Sequence, residues 1–152
     1  MGERIDSDVQ FGQTVMAGIA TGDSLWLEVA RNLPLKSASA EASFAIALAG
    51  ALPKNPDAVL AMLGKKSRVT DVCGMPFLEA TPEIVTAYYE SAASALARPR
   101  APSFAPVALQ CAAALDSARN RKLARIDPAH IVKNKPVPPK PAPRRRRASS
   151  RR

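Results

Sequence analysis

Few residues of this chain are of a type, and in a setting, to do chemistry, and each can be held against the spacing that its chemistry requires. The one histidine, His130, stands among prolines and cations near the C-terminal end. A Ser-His-Asp or Cys-His arrangement would need that imidazole to reach a nucleophile held on the folded body, so His130 is read as a solvated linker residue. A tetrahedral zinc site takes four Cys, His or carboxylate ligands, and two distant cysteines with this histidine do not supply the set. Gly64-Lys65-Lys66-Ser67 is similar to the end of a phosphate loop, but such a loop needs a glycine five residues before Gly64, where Val59 stands. Glu79, Glu83 and Glu90 fit a solvated helix face, because an acid/base pair would need burial to separate its two pKa values. Tyr88 and Tyr89, at helical spacing with Val85 and Ala92, fit the core and its edge. The chain is read as non-enzymatic, with no cofactor and no metal.

Two further sets remain. Cys73 and Cys111 are either two small buried thiols, common in reduced interiors, or one disulfide tying an irregular loop to the last helix. The other set is charge. From Met1 to Ala118 there are nine Lys/Arg against twelve Asp/Glu, a net of −3, whereas Arg119 to Arg152 holds thirteen cations against Asp127 alone, a net of +12. Arg119, Arg121, Lys122, Arg125, Lys133, Lys135, Lys140, Arg144, Arg145, Arg146, Arg147, Arg151 and Arg152 are therefore the candidate polyanion contacts. Releasing counterions from phosphates would give them affinity with steep salt dependence. Nothing aromatic follows Phe104, so no stacking platform accompanies the charge. The expected partner is a nucleic acid or an anionic surface, held without sequence specificity.

The elements that must carry these residues read as helices. Ala and Leu dominate the body and aromatics are scarce, which favours close-packed helices over strands. Asp6 or Ser7 can cap a first helix running to Ala20, with Val9, Gly12, Met16 and Ile19 on one face. Gly22 breaks it, and Asp23 caps a second, with a stripe of Leu25, Trp26, Val29, Ala30 and Leu33 ended by Pro34. A third runs from about Ser39 to Ala51 with Phe44, Ala47, Leu48 and Ala51 inward. Asn55-Pro56-Asp57 and Thr81-Pro82-Glu83 each place a capping side chain before a proline and an acid at the positive end of the dipole. Gly64 closes the helix that the first of these opens. The second opens a helix to about Ala97, lined by Val85, Tyr88, Tyr89, Ala92 and Leu96. Between them, Thr70 to Cys73 fits one helical turn, and Phe77 and Leu78 are expected to plug the core from a loop. A last helix spans about Pro106 to Leu123, with Val107, Cys111, Ala114, Leu115 and Ala118 inward.

The fold expected is all-α, a compact bundle of five or six short helices over residues 1–126. Residues 127–152 form a disordered Pro/Lys/Arg-rich tail. Six of the fourteen prolines fall between Pro128 and Pro143, which favours extended polyproline-type backbone. No apolar run approaches the roughly 20 residues that span a bilayer. The acidic start, Met1 to Asp6, lacks a signal-peptide pattern, which predicts a cytoplasmic protein; a mature or trimmed form would instead be periplasmic.

Three strings of residues carry a resemblance: Asp23-Ser24-Leu25-Trp26-Leu27, Ala51-Leu52-Pro53-Lys54-Asn55-Pro56 with Val59-Leu60, and Asp71-Val72-Cys73-Gly74-Met75-Pro76-Phe77-Leu78-Glu79 with the later Cys111. From about Phe11 to Leu115 the chain resembles small uncharacterised helical proteins of proteobacteria, many of them exported. The resemblance implies no activity. For exported members it implies that Cys73 and Cys111 pair in the periplasm, and the Arg-rich extension lies outside it. The function expected is a small binding or accessory protein, its helical body contacting a protein partner and its tail a polyanion. The alternative is an exported envelope or toxin-immunity-type protein stapled by Cys73–Cys111.

Overall fold

Four helix starts in this chain are set by capping side chains, while that at Val69 has none. The computed structural model describes residues 9–77, 81–98 and 101–126. The expected caps Asp6 and Ser7, the loop residues Leu78 and Glu79, and the whole segment from Asp127, His130 included, lie outside them. Asp23 accepts from the backbone N–H groups of Leu25 (2.9 Å) and Trp26 (3.4 Å). Ser37 accepts from Ala40 at 3.1 Å, Asn55 from Ala58 at 3.4 Å and Thr81 from Ile84 at 3.4 Å. Each bond satisfies one of the N–H groups that a helix start leaves without a partner.

Among the described residues there are seven helices: α1 (Val9–Ala20), α2 (Ser24–Asn32), α3 (Ala38–Ala51), α4 (Pro56–Leu60), α5 (Val69–Cys73), α6 (Pro82–Ala97) and α7 (Ala105–Ile126), with a 3-10 turn at Pro102–Phe104. The fold is all-α; among the described residues no strand forms. Gly22 (φ 75°) and Gly64 (φ 79°) take the left-handed backbone that ends α1 and the α4 turn, as only glycine does without strain. α7 runs three residues past the expected end, to Ile126.

Lysines distant in sequence complete several chain reversals. Lys54 Nζ donates to Ala20 O at 2.9 Å and Asn55 Nδ2 to Gly22 O at 3.2 Å, both at the exit of α1. Lys66 Nζ donates to Leu33 O at 3.1 Å, after α2. A cation beside the carbonyl end of a helix is favoured by the peptide dipoles as well as by the hydrogen bond.

The core is built on α3, where Phe44, Ala47, Leu48, Ala49 and Ala51 are all buried. α1, α4 and α5 pack against it, while α6 and α7 form an antiparallel hairpin. The single turn of α5 touches both α3 and α7 and so joins the two halves. Tyr88 adds a second link, its hydroxyl donating to Ala49 O at 2.9 Å.

Three expected faces are corrected by rotation. On α1, Val9 is 71 % exposed, and Val15 rather than Met16 fills the core. On α2, Leu25 is 79 % exposed, while Leu27, Ala30 and Leu33 face inward. Gly18 decides the setting of these two helices, because a Cβ there would land on the Trp26 indole. On α7, Ala108 joins Cys111, Leu115 and Ala118 in the core, and Val107 and Ala114 are only half-buried. The loop after α5 holds a further correction. Met75, with φ 53°, is 1 % exposed and fills the core in place of the expected Phe77. Phe77 is half-buried, edge-on to Tyr88 at 4.8 Å between ring centroids.

Candidate functional site

The two cysteines are brought together as one disulfide, with a Cα–Cα distance of 5.3 Å across 38 residues of sequence. Cys73 ends α5 and Cys111 lies one-third of the way along α7; both are fully buried. The bond therefore makes covalent the contact by which α5 joins the α6–α7 hairpin to the rest. In the chain-entropy account, closing a loop of this size stabilises the fold by about 4 kcal/mol before any native strain.

Of the thirteen candidate cations, four lie on described backbone, all in the last turns of α7, and they have different surroundings. Arg119 sits over the Tyr89 ring, its guanidinium carbon 4.5 Å from the centroid. Its Nε is shielded from water there with no hydrogen-bond acceptor, so the ring face takes the place of one. Tyr89 in turn donates to Asp116 Oδ1 at 2.6 Å. That bond to a carboxylate is the chief cause that pushes the Tyr89 phenol above its ordinary value. Lys122 Nζ donates to Phe77 O at 2.8 Å, pinning the loop that leaves α5. Arg121 and Arg125 are exposed. The other nine candidates, Lys133, Lys135, Lys140, Arg144, Arg145, Arg146, Arg147, Arg151 and Arg152, lie outside the described residues.

Elsewhere the described surface offers little for acid–base work. Glu83 is held below the usual carboxylate range, first by a hydrogen bond to the Thr81 hydroxyl, at the positive end of α6. Tyr88 is pushed well above its ordinary value by burial. Among the described residues, no three His, Cys, Asp or Glu side chains are grouped to hold a metal ion, and no helix is long and apolar enough to cross a membrane.

One feature escapes the reading of the sequence. Between α6 and α7, on the side away from α5, runs an open apolar groove of about 430 Å³. Its floor is Leu96, Ala108 and Leu115, its walls include Ala93, Ala97, Ala105 and Ala112, and Leu109 stands beside it 72 % exposed. The signal is present as a second stripe on the last helix, Ala105, Leu109, Ala112 and Asp116, next to the one assigned to the core. Comparison of the chain with known protein families, with curated proteins and with solved structures finds no match.

Proposed function

We propose that this chain is a non-enzymatic binding protein of an oxidising compartment, such as a bacterial periplasm. In this reading its helical body is the protein-binding part. The basic segment beginning at Arg119 holds the molecule to an anionic surface through phosphates. The observation that carries the compartment is the buried Cys73–Cys111 pair, at bonding distance and at the junction of the two halves. Structural disulfides form and persist outside the reducing cytosol. The observation that carries the surface is the charge division, −3 before Arg119 and +12 from it onward. A cluster of cations next to a folded body gains roughly 1 kcal/mol per cation near an anionic leaflet.

Two measurements test the two halves of the proposal. Thiol counting on protein taken from its native compartment, with and without reductant, should find no free thiol until reductant is added. Two free thiols before reduction would sink the compartment. Full-length protein and a Met1–Asp127 truncation are then compared on vesicles carrying anionic lipid, on neutral vesicles and on duplex DNA, at low and physiological salt. Retention on anionic vesicles by the full-length chain alone is expected. Equal retention by both chains would show that the tail is not the anchor, and a strong preference for DNA over vesicles would replace the surface by nucleic acid.

A further inference from the structure

We propose that the end of the α6–α7 hairpin away from its turn is a membrane-contact surface, at which Ile84 and Ile126 enter the acyl layer of an anionic bilayer while Arg121 and Arg125 meet its headgroup phosphates. The proposal deepens the reading of the basic segment as a surface anchor and rests on it.

Topology puts these four residues at one end. α6 finishes at Ala97 and α7 begins at Ala105, so the start of α6 lies beside the last turns of α7. The bond from the Tyr89 hydroxyl to Asp116 fixes their relative level. Ile84 stands five residues before Tyr89 and Arg121 five residues after Asp116. At the rise of an α-helix, both then lie about 7.5 Å beyond that bond, and Arg125 and Ile126 follow on the next turn. Lys122 draws the half-buried Phe77 to the same end through its carbonyl.

Two kinds of exposed surface meet there. Ile84 is 51 % and Ile126 40 % exposed, aliphatic area that gains free energy wherever water is removed from it. Arg121 and Arg125 are exposed beside them. Across Pro82–Val85 and Arg119–Ile126, the charged side chains are Arg119, Arg121, Lys122 and Arg125 against one acid, Glu83, whose carboxylate is engaged by the Thr81 hydroxyl. This combination selects the partner. The phosphates of a nucleic acid and of a bilayer both attract arginine, but only a bilayer has acyl chains behind its phosphates to cover isoleucine.

Continuity sets the approach. The described body ends at Ile126, and the nine other candidate cations all follow it in sequence. When they gather on an anionic leaflet, the body is tethered there by this end. Attraction through the tail is screened by salt, whereas burial of the isoleucines is not. Leu109 supplies an internal control: it is 72 % exposed, but it stands in the second turn of α7, at the other end of the hairpin.

The test is co-sedimentation of the oxidised full-length protein with vesicles of phosphatidylglycerol and phosphatidylcholine over a range of salt, with retention on duplex DNA at low salt measured in parallel. Wild type should sediment with the vesicles. Ile84→Gln combined with Ile126→Gln should lower its partition coefficient about tenfold, with the salt slope and the retention on DNA unchanged. Ile84→Leu combined with Ile126→Leu should keep wild-type partitioning, and so should Leu109→Gln. Circular dichroism of each variant checks that the helices persist. A double glutamine variant that partitions like wild type, or that loses as much on DNA as on vesicles, would overturn the proposal and leave the anionic anchor standing. Equal loss from Leu109→Gln would do the same. A wild type that does not sediment with the vesicles overturns both.

Discussion

At the scale of single residues, the chain separates cations that build the fold from cations that are available to a partner. Lys122 pins the Phe77 carbonyl and Arg119 sits over Tyr89, whereas Arg121 and Arg125 face solvent. Arg121→Gln with Arg125→Gln should lower the log–log salt slope of polyanion retention by about 0.7–0.9 for each phosphate no longer neutralised. Lys122→Met should change that slope less and instead cost about 1.5 kcal/mol of stability, the worth of a charged hydrogen bond. A larger loss of retention from Lys122→Met than from the arginine pair would refute the division. Gly18 is a second decisive residue. Alanine there gains about 1 kcal/mol of helix propensity, but its methyl group would occupy the place of the Trp26 indole, and overpacking costs about 1–3 kcal/mol. The clash should win, with Gly18→Ala unfolding at lower urea; a stabilised variant would mean that Trp26 swings aside freely. Tyr88 sets a pH limit. Burial raises its pKa, so the folded state keeps a proton that the unfolded chain gives up near pH 10. Its contribution is complete below that pH and is lost as pH rises above it. Urea midpoints measured from pH 8 to 11 should fall at the alkaline end, and less steeply in Tyr88→Phe.

At the scale of elements, local signals locate the helices, and tertiary packing chooses the faces they bury. Asp23, Asn55-Pro56 and Thr81-Pro82 mark starts because the groups they satisfy are two or three residues away, within the sequence itself. The inward face of α2 is ambiguous in sequence because Leu25 and Leu27 are equally apolar, and only the contact of Trp26 with Gly18 settles the rotation. Met75 is illegible for a related reason: a left-handed non-glycine residue is held by its surroundings and leaves no local mark. The Cys73–Cys111 pair is visible as a possibility, but the groove is not, since two apolar stripes on α7 look like one in a pattern of spacings. Asn55 shows how a local signal can act at a distance. It caps α4 and also donates to Gly22 O at 3.2 Å, so Asn55→Ala should cost about 2 kcal/mol, against about 1 kcal/mol for Thr81→Ala, which loses its cap and an exposed bond to Glu83 but no bridge to a distant segment. Equal costs in chemical denaturation would mean that the bridge to Gly22 contributes nothing.

At the scale of the whole molecule, charge and covalent structure divide the chain in different places. The charge boundary falls at Arg119, inside α7, so the folded helix continues into the basic segment. α7 has 22 residues and is about 33 Å long. It packs on α5 and α6, and its last turns carry the first four cations. Because Cys111 lies on this same helix, the disulfide has a mechanical consequence. A molecule held by its tail and pulled from its other end receives tension through Ile126, and that tension runs along α7 to Cys111. There it crosses a covalent bond into α5 and reaches α3 without loading the residues between. The 38-residue span from Cys73 to Cys111 is thus excluded from the stretched path. Pulled between its termini in an optical trap, the oxidised chain should extend about 130 Å less on unfolding than the reduced one. Equal extensions would show that the bond does not form. An anchored protein of this design would bear load in α1 to α5 and in α7 beyond Cys111, and none in α6 until the bond is reduced.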